Sequence, residues 1–150
     1  MSRELPARRG VDAWSTFLRA HATLVRQLER EIAEATGLTL GDFDVIAQLA
    51  GAGGRLRMTE LAARAYSSRS GLTRRIDKLE HEGLVRRAGA TEDGRGVLVH
   101  LTERGLKRVE ETAPVHLRGV ARHFVERLDD GELELLERAL GKVVVDCEFG

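Results

Sequence analysis

Apolar positions three and four residues apart recur along most of the chain and give way to short β-prone runs near its middle. From Asp12 to about Thr36, the residues Trp14, Phe17, Leu18, Val25, Leu28 and Ile32 keep helical spacing, with Asp12 as N-cap and Gly37 as stop. The predicted first helix is therefore much longer than the average of about three turns. Thr39, with Asp42 three residues on, resembles a capping box and opens a second helix through Phe43, Ile46 and Leu49. That helix ends at Gly51-Ala52-Gly53-Gly54, a turn that lacks the spacing and the lysine of a phosphate-binding loop. Arg57-Met58 then adds a short strand, and Thr59 caps a third helix, Glu60 to Ala65, with Leu61, Ala62 and Ala65 inward.

The stretch from Ser67 to Leu101 organises the rest. Leu72, Ile76 and Leu79 are four and three apart and share one buried face, which leaves Ser70, Thr73, Arg74 and Asp77 on the opposite face. Ser68 serves as N-cap and Gly83 as the C-terminal stop. Leu84 to Arg87 and Val97 to Leu101 follow as two β-prone runs joined by a glycine-rich, charged tip, the signature of a hairpin with a long loop. Two short helices across the tight turn Tyr66-Ser67-Ser68, then a basic hairpin, have the order of a winged helix-turn-helix, whose second helix enters the major groove.

After the hairpin, Thr102 caps a long helical pattern carrying Leu106, Val109, Ala113, Leu117, Val120, Phe124 and a closing Leu128, with a kink or break expected at Pro114. Asp129 and Glu132 form another capping box, and Leu133, Leu136, Leu140 and Val143 stripe the last helix. The expected fold is mainly α with a small β-hairpin wing. Its parts are an N-terminal arm and dimerisation helix (1–36), a reading unit (37–101) and C-terminal dimerisation helices (102–150). Amphipathic terminal helices that a small core cannot cover predict a symmetric dimer with its two reading heads about one DNA turn apart.

Charge sharpens this picture only through its distribution. The 150 residues carry no formal net charge, yet Gly53 to Arg95 holds ten basic and six acidic residues, while Glu103 to Gly150 holds eight basic and eleven acidic. Positive charge gathers where the reading helix and hairpin are predicted. The single cysteine, Cys147, excludes an internal disulfide. No membrane-length apolar run and no signal-peptide core are present, so a soluble, cytoplasmic protein is expected.

The run L-T-R-R-I-D-K-L-E-H-E-G-L-V-R-R, the wing E-D-G-R-G and L-T-E-R-G at Leu101 to Gly105 together resemble the MarR family of bacterial transcriptional regulators. L-T-L-G-D-F-D-V-I in the second helix and R-M-T-E-L-A in the third are similar to it as well, so the resemblance covers roughly residues 12 to 145. It implies a homodimeric winged-helix repressor, often of genes beside its own, whose hold on a double-stranded DNA operator is weakened by a small, frequently phenolic or aromatic effector. The cysteine near the first helix that peroxide-sensing members use is absent.

Arg74 is long enough to reach base edges and pair bidentately with guanine, while Ser70 and Thr73 reach bases, a thymine methyl or phosphate. Arg69 and Arg75 flank that face, where backbone phosphates are the expected partners, and Ser68 lies at the same helix start. Arg95 resembles the family's minor-groove arginine, with Asp93 holding the loop by pairing with an arginine or serving as a plain turn residue. Arg86 and Arg87 alternate along a strand, so at most one faces DNA. For an effector, the resemblance points to Trp14, His21, Phe43 and His116. His116 and His123 lie seven apart without a third metal ligand at suitable spacing, and no metal or cofactor is expected. No nucleophile elbow, metal motif or cofactor loop supports catalysis. The alternative to a regulator is a winged-helix protein-interaction module without sequence-specific DNA binding.

Overall fold

The computed structural model describes residues 4–65, 69–89 and 96–148, and of residues 69, 70 and 145–148 the backbone alone. Its elements in chain order are α1 (Arg8–Thr36), α2 (Leu40–Gly51), β1 (Arg55–Arg57), α3 (Met58–Arg64), α4 (Arg69–His81), β2 (Val85–Ala88), β3 (Leu98–Leu101), α5 (Glu103–His123) and α6 (Asp130–Glu148), with a 3₁₀ turn at Val125–Arg127. The chain divides into two compact units, Leu28–His116 and the pair of segments 1–27 and 117–150. The boundaries fall inside α1 and α5, not at their ends.

The Leu28–His116 unit contains the buried core. Ile32, Leu38, Phe43, Val45, Ile46, Leu49, Leu61, Leu72, Ile76, Leu79, Val85 and Val99 are all shielded from solvent. The three α4 positions expected to share a face are fully buried. Each such side chain contributes at most about 1.5–3 kcal/mol of transfer free energy. A three-stranded antiparallel sheet in the order β1-β3-β2 closes the unit, with Leu56 opposite Val99 and Val85 opposite Leu101. The short strand expected at Arg57-Met58 is β1 at Arg55–Arg57, with Leu56 inward and both arginines outward.

Helix starts explain most of the remaining differences. Thr39 caps α2 by accepting the Asp42 N–H (3.0 Å), but the Asp42 carboxylate does not complete the box. It points toward α4, and the Leu40 N–H goes to Glu29 of α1 at 2.9 Å. The N-cap of α3 is Arg57, two residues before the expected Thr59, and the Arg57 N–H donates to the Glu60 carboxylate (3.0 Å). α5 is continuous through Pro114 and ends at His123, short of the expected Leu128, after which the 3₁₀ turn intervenes. The expected box before α6 forms in both directions: Asp129 N–H to Glu132 (2.9 Å) and Glu132 N–H to Asp129 (2.8 Å).

Gly105 sits where α5 departs from the sheet. Thr102 receives the Gly105 N–H (3.0 Å) and donates its hydroxyl to the Gly83 carbonyl (2.7 Å). A Cβ on Gly105 would run into the Leu84 carbonyl oxygen and meet Leu101 Cδ1 at 2.6 Å. In the other unit, Val11, Trp14, Phe17 and Leu18 on α1, Leu117 on α5, and Leu135, Leu140, Val143 and Val144 on α6 are exposed apolar side chains. Among the described residues no helix is long and apolar enough to cross a membrane.

Gly105→Ala gains about 1 kcal/mol of helix propensity but overpacks against fixed backbone. A net loss of about 1–3 kcal/mol is expected in urea denaturation.

Candidate DNA-reading surface

Once Leu72, Ile76 and Leu79 are committed to the core, the orientation of α4 is set, and Thr73, Arg74 and Asp77 are exposed. Arg74 forms no ion pair among the described residues. Asp77, by contrast, is engaged from the side by Arg87 of β2, whose guanidinium also bonds Glu80 (3.0 Å). The Arg87 N–H donates to Glu80 at 2.8 Å, and that backbone bond holds the Glu80 carboxyl below its usual range. Three hydrogen bonds thus fasten the wing strand to the edge of α4. Arg86, on the opposite side of the strand, is exposed.

The inner edge of α4 is held by a second device. Asp42 of α2 is 1% exposed. Its Oδ1 accepts from Arg75 (2.7 Å) and its Oδ2 from Lys78 (2.6 Å), while Arg75 also donates to Thr39 Oγ1 (3.2 Å). The hydrogen bond from Lys78 to Asp42 raises the pKa of the Lys78 ammonium above its ordinary value. The guanidinium of Arg75 lies directly over Gly41, in the space a Cβ would occupy. Arg75, expected to face backbone phosphate, is therefore turned inward as the counter-ion of a buried carboxylate. The signal was available: Arg75 is three residues from Leu72 and adjacent to Ile76, on the core side of the wheel. Asp42 was missed as a binding partner because its capping position already accounted for it.

Ser68, Asp93 and Arg95 lie outside the described residues. Arg69 and Ser70 are placed on the first turn of α4 by backbone alone. The effector candidates separate into two sets. Trp14 and His21 flank Phe17 along α1, with ring centroids at 6.1 and 6.4 Å from it, and Trp14 is 59% exposed. Phe43 and His116, in the Leu28–His116 unit, lie 5.2 Å apart with tilted rings. One turn before His116, Thr112 is completely buried, a position the sequence reading did not single out. Thr112 Oγ1 and His116 Nδ1 are both buried and lack a hydrogen-bond partner among the described residues. Burial lowers the His116 pKa, against a smaller opposing effect of Asp44.

The geometry defines a winged helix-turn-helix with an exposed reading helix. A family model described as MarR family matches residues 36–96. The structure is similar to that of AbsC, a MarR family transcriptional regulator from Streptomyces coelicolor, with a TM-score of 0.88 and 32% identity over 99% of this chain and 100% of that one. It is similar also to Sco3205, a MarR family regulator from the same organism solved in complex with DNA, with a TM-score of 0.86 and 30% identity over 96% and 90% of the two chains. The HTH-type transcriptional repressor YetL of Bacillus subtilis is 33% identical over 106 residues, which span 70% of this chain and 63% of that protein. The chain belongs to the MarR family of transcriptional regulators, which are DNA-binding regulators and not enzymes.

Asp42→Asn keeps the shape but removes the charge that Arg75 and Lys78 share. Because both cations reach solvent, the expected loss is about 1–3 kcal/mol in urea denaturation, below that of a fully buried pair. For His116, NMR titration should give a pKa below the ordinary 6.5. The unfolded chain then binds the proton first, so stability is complete above pH 6.5 and declines as pH falls toward the folded-state value; His116→Phe should remove that part of the acid dependence.

Proposed function

We propose that this protein is a cytoplasmic, homodimeric repressor that binds a pseudo-palindromic operator through α4 and the wing and is released by a small effector. The observation that carries the reading is Arg74, exposed beside Thr73 on a helix whose other two sides are held by Asp42 and Arg87. A helix positioned so firmly presents side chains to a groove with little ordering cost on binding. Arg74 reads a guanine, and Thr73 and Ser70 contact neighbouring bases or phosphate. Ser68 and Arg69 hold the backbone at the start of α4. Arg95 enters the minor groove from the wing, with Asp93 shaping its loop. Arg75 acts indirectly, as a positioning residue that holds α4 against α2. The DNA held by Sco3205 and the name of the YetL repressor support this assignment.

The exposed apolar residues of 1–27 and 117–150 form the dimer contact. Val11, Trp14 and Leu18 are three and four apart, Val143 and Val144 lie three and four residues after Leu140, and exposed stripes of this kind are costly in water unless a second copy covers them. The effector binds at Phe43 and His116. The orphaned Thr112 hydroxyl and His116 nitrogen support a polar, ring-bearing ligand: Phe43 and His116 offer flat apolar surface, and the two unsatisfied atoms offer hydrogen bonds.

Fluorescence anisotropy on duplex DNA from upstream of the protein's own gene, beside a scrambled duplex at several salt concentrations, tests the reading. Preferential, palindrome-dependent binding with a steep salt slope is expected. Arg74→Ala should reduce discrimination between the two duplexes by about 1–3 kcal/mol. Unchanged preference in that variant would remove Arg74 from the reading role. Equal or absent binding to both duplexes, and to a selected pool of random sequences, would favour a protein-interaction module.

A further inference from the structure

A cavity of about 350 Å³ opens where the α1–α2 turn, the end of α4 and the start of α5 meet, with a lining that includes Leu38, Asp42, Lys78, Glu82, Arg104 and Arg108. It shares no residue with the Phe43 and His116 contact and takes in none of the outward α4 residues assigned to DNA. Its character is polar and cationic. Three cations border it against two carboxylates, and one of those, Asp42, is already shared with Arg75 outside the cavity.

The donors there are incompletely used. Lys78 gives one hydrogen bond to Asp42 and is half exposed, whereas an ammonium has three donors. Arg108 bonds the Thr36 carbonyl and lies 3.7 Å from Glu111, leaving part of its five-donor fork available. Arg104 is exposed and forms no ion pair among the described residues. A concave site with spare charged donors on two elements and little apolar wall suits a compact anion with several oxygens. Arginine forks match such an anion bidentately, and the lysine adds a point charge.

We propose that this cleft is a second ligand site, specific for inorganic phosphate or a compact phosphomonoester bridging Lys78 of α4 to Arg104 and Arg108 of α5. The occupant ties the end of the reading helix to the start of α5. Lys78 then donates to phosphate and Asp42 together.

Isothermal titration calorimetry of the full chain with inorganic phosphate, at constant ionic strength and without DNA, tests this independently of operator binding. A saturable site is expected, with affinity reduced about tenfold in Arg104→Gln, as for loss of one charged hydrogen bond. Arg138→Gln, an exposed arginine of α6 outside the cleft, should bind as the parent does. Lys78→Gln should also weaken binding, with circular dichroism confirming that the variant is folded. Absence of saturable heat, equal affinity in Arg104→Gln and the parent, or an equal loss in Arg138→Gln would overturn the proposal. Succinate binding as tightly as phosphate would overturn the phosphate specificity.

Discussion

The Asp42 carboxylate, buried at the start of α2 and reached by both Arg75 and Lys78, is the interaction on which the reading surface depends. A carboxylate removed from water is costly unless its lone pairs are filled by charged donors. Here two donors come from successive turns of α4, so the helix can neither rotate nor slide without leaving that charge uncompensated. Apolar packing through Leu72, Ile76 and Leu79 is stronger in total but less directional. The ion triad supplies register, and the core supplies most of the free energy.

A second constraint acts from the opposite side. Arg87 reaches from the wing strand to Asp77 and Glu80, and the backbone bond from Arg87 to Glu80 makes the strand itself part of the clamp. Both clamps use charged residues that a reader of the sequence would assign to solvent or to nucleic acid. Of the arginines around α4, Arg75 and Arg87 are consumed in holding the helix, and Arg74 is left exposed. Division of labour among neighbouring cations is thus set by which carboxylates the fold brings beside them.

Besides Arg75 Nε, two buried polar atoms on α5 lack a hydrogen-bond partner among the described residues. Thr112 and His116 are one turn apart, whereas the half-buried Thr102 hydroxyl finds the Gly83 and Leu84 carbonyls. Unsatisfied buried groups cost free energy that the rest of the core must offset. His116 lies against Phe43, and Thr112 follows one turn away on the same helix.

Periodicity and turn chemistry alone determined which stretches are helical, the hairpin, the α4 core face and the glycine stops, because these follow from local spacing and backbone preference; they did not set every helix end, since α1 runs from Arg8 through the expected Asp12 cap and α5 stops at His123. The L-T-R-R-I-D-K-L-E-H-E-G-L run carried the buried triad Leu72, Ile76 and Leu79 without ambiguity, since four-three spacing admits one helical face. Tertiary structure alone decided the fate of the charges. Asp42 lies 33 residues from Arg75, and no local rule distinguishes a carboxylate that caps its own helix from one that turns to another. Likewise α3 is capped at Arg57 and not Thr59, because β1 pairs with β3 through Arg57 and the helix begins at Met58, where that pairing ends. Local physics selects elements; the burial of one charge against another, at long sequence separation, selects which side chains remain for function.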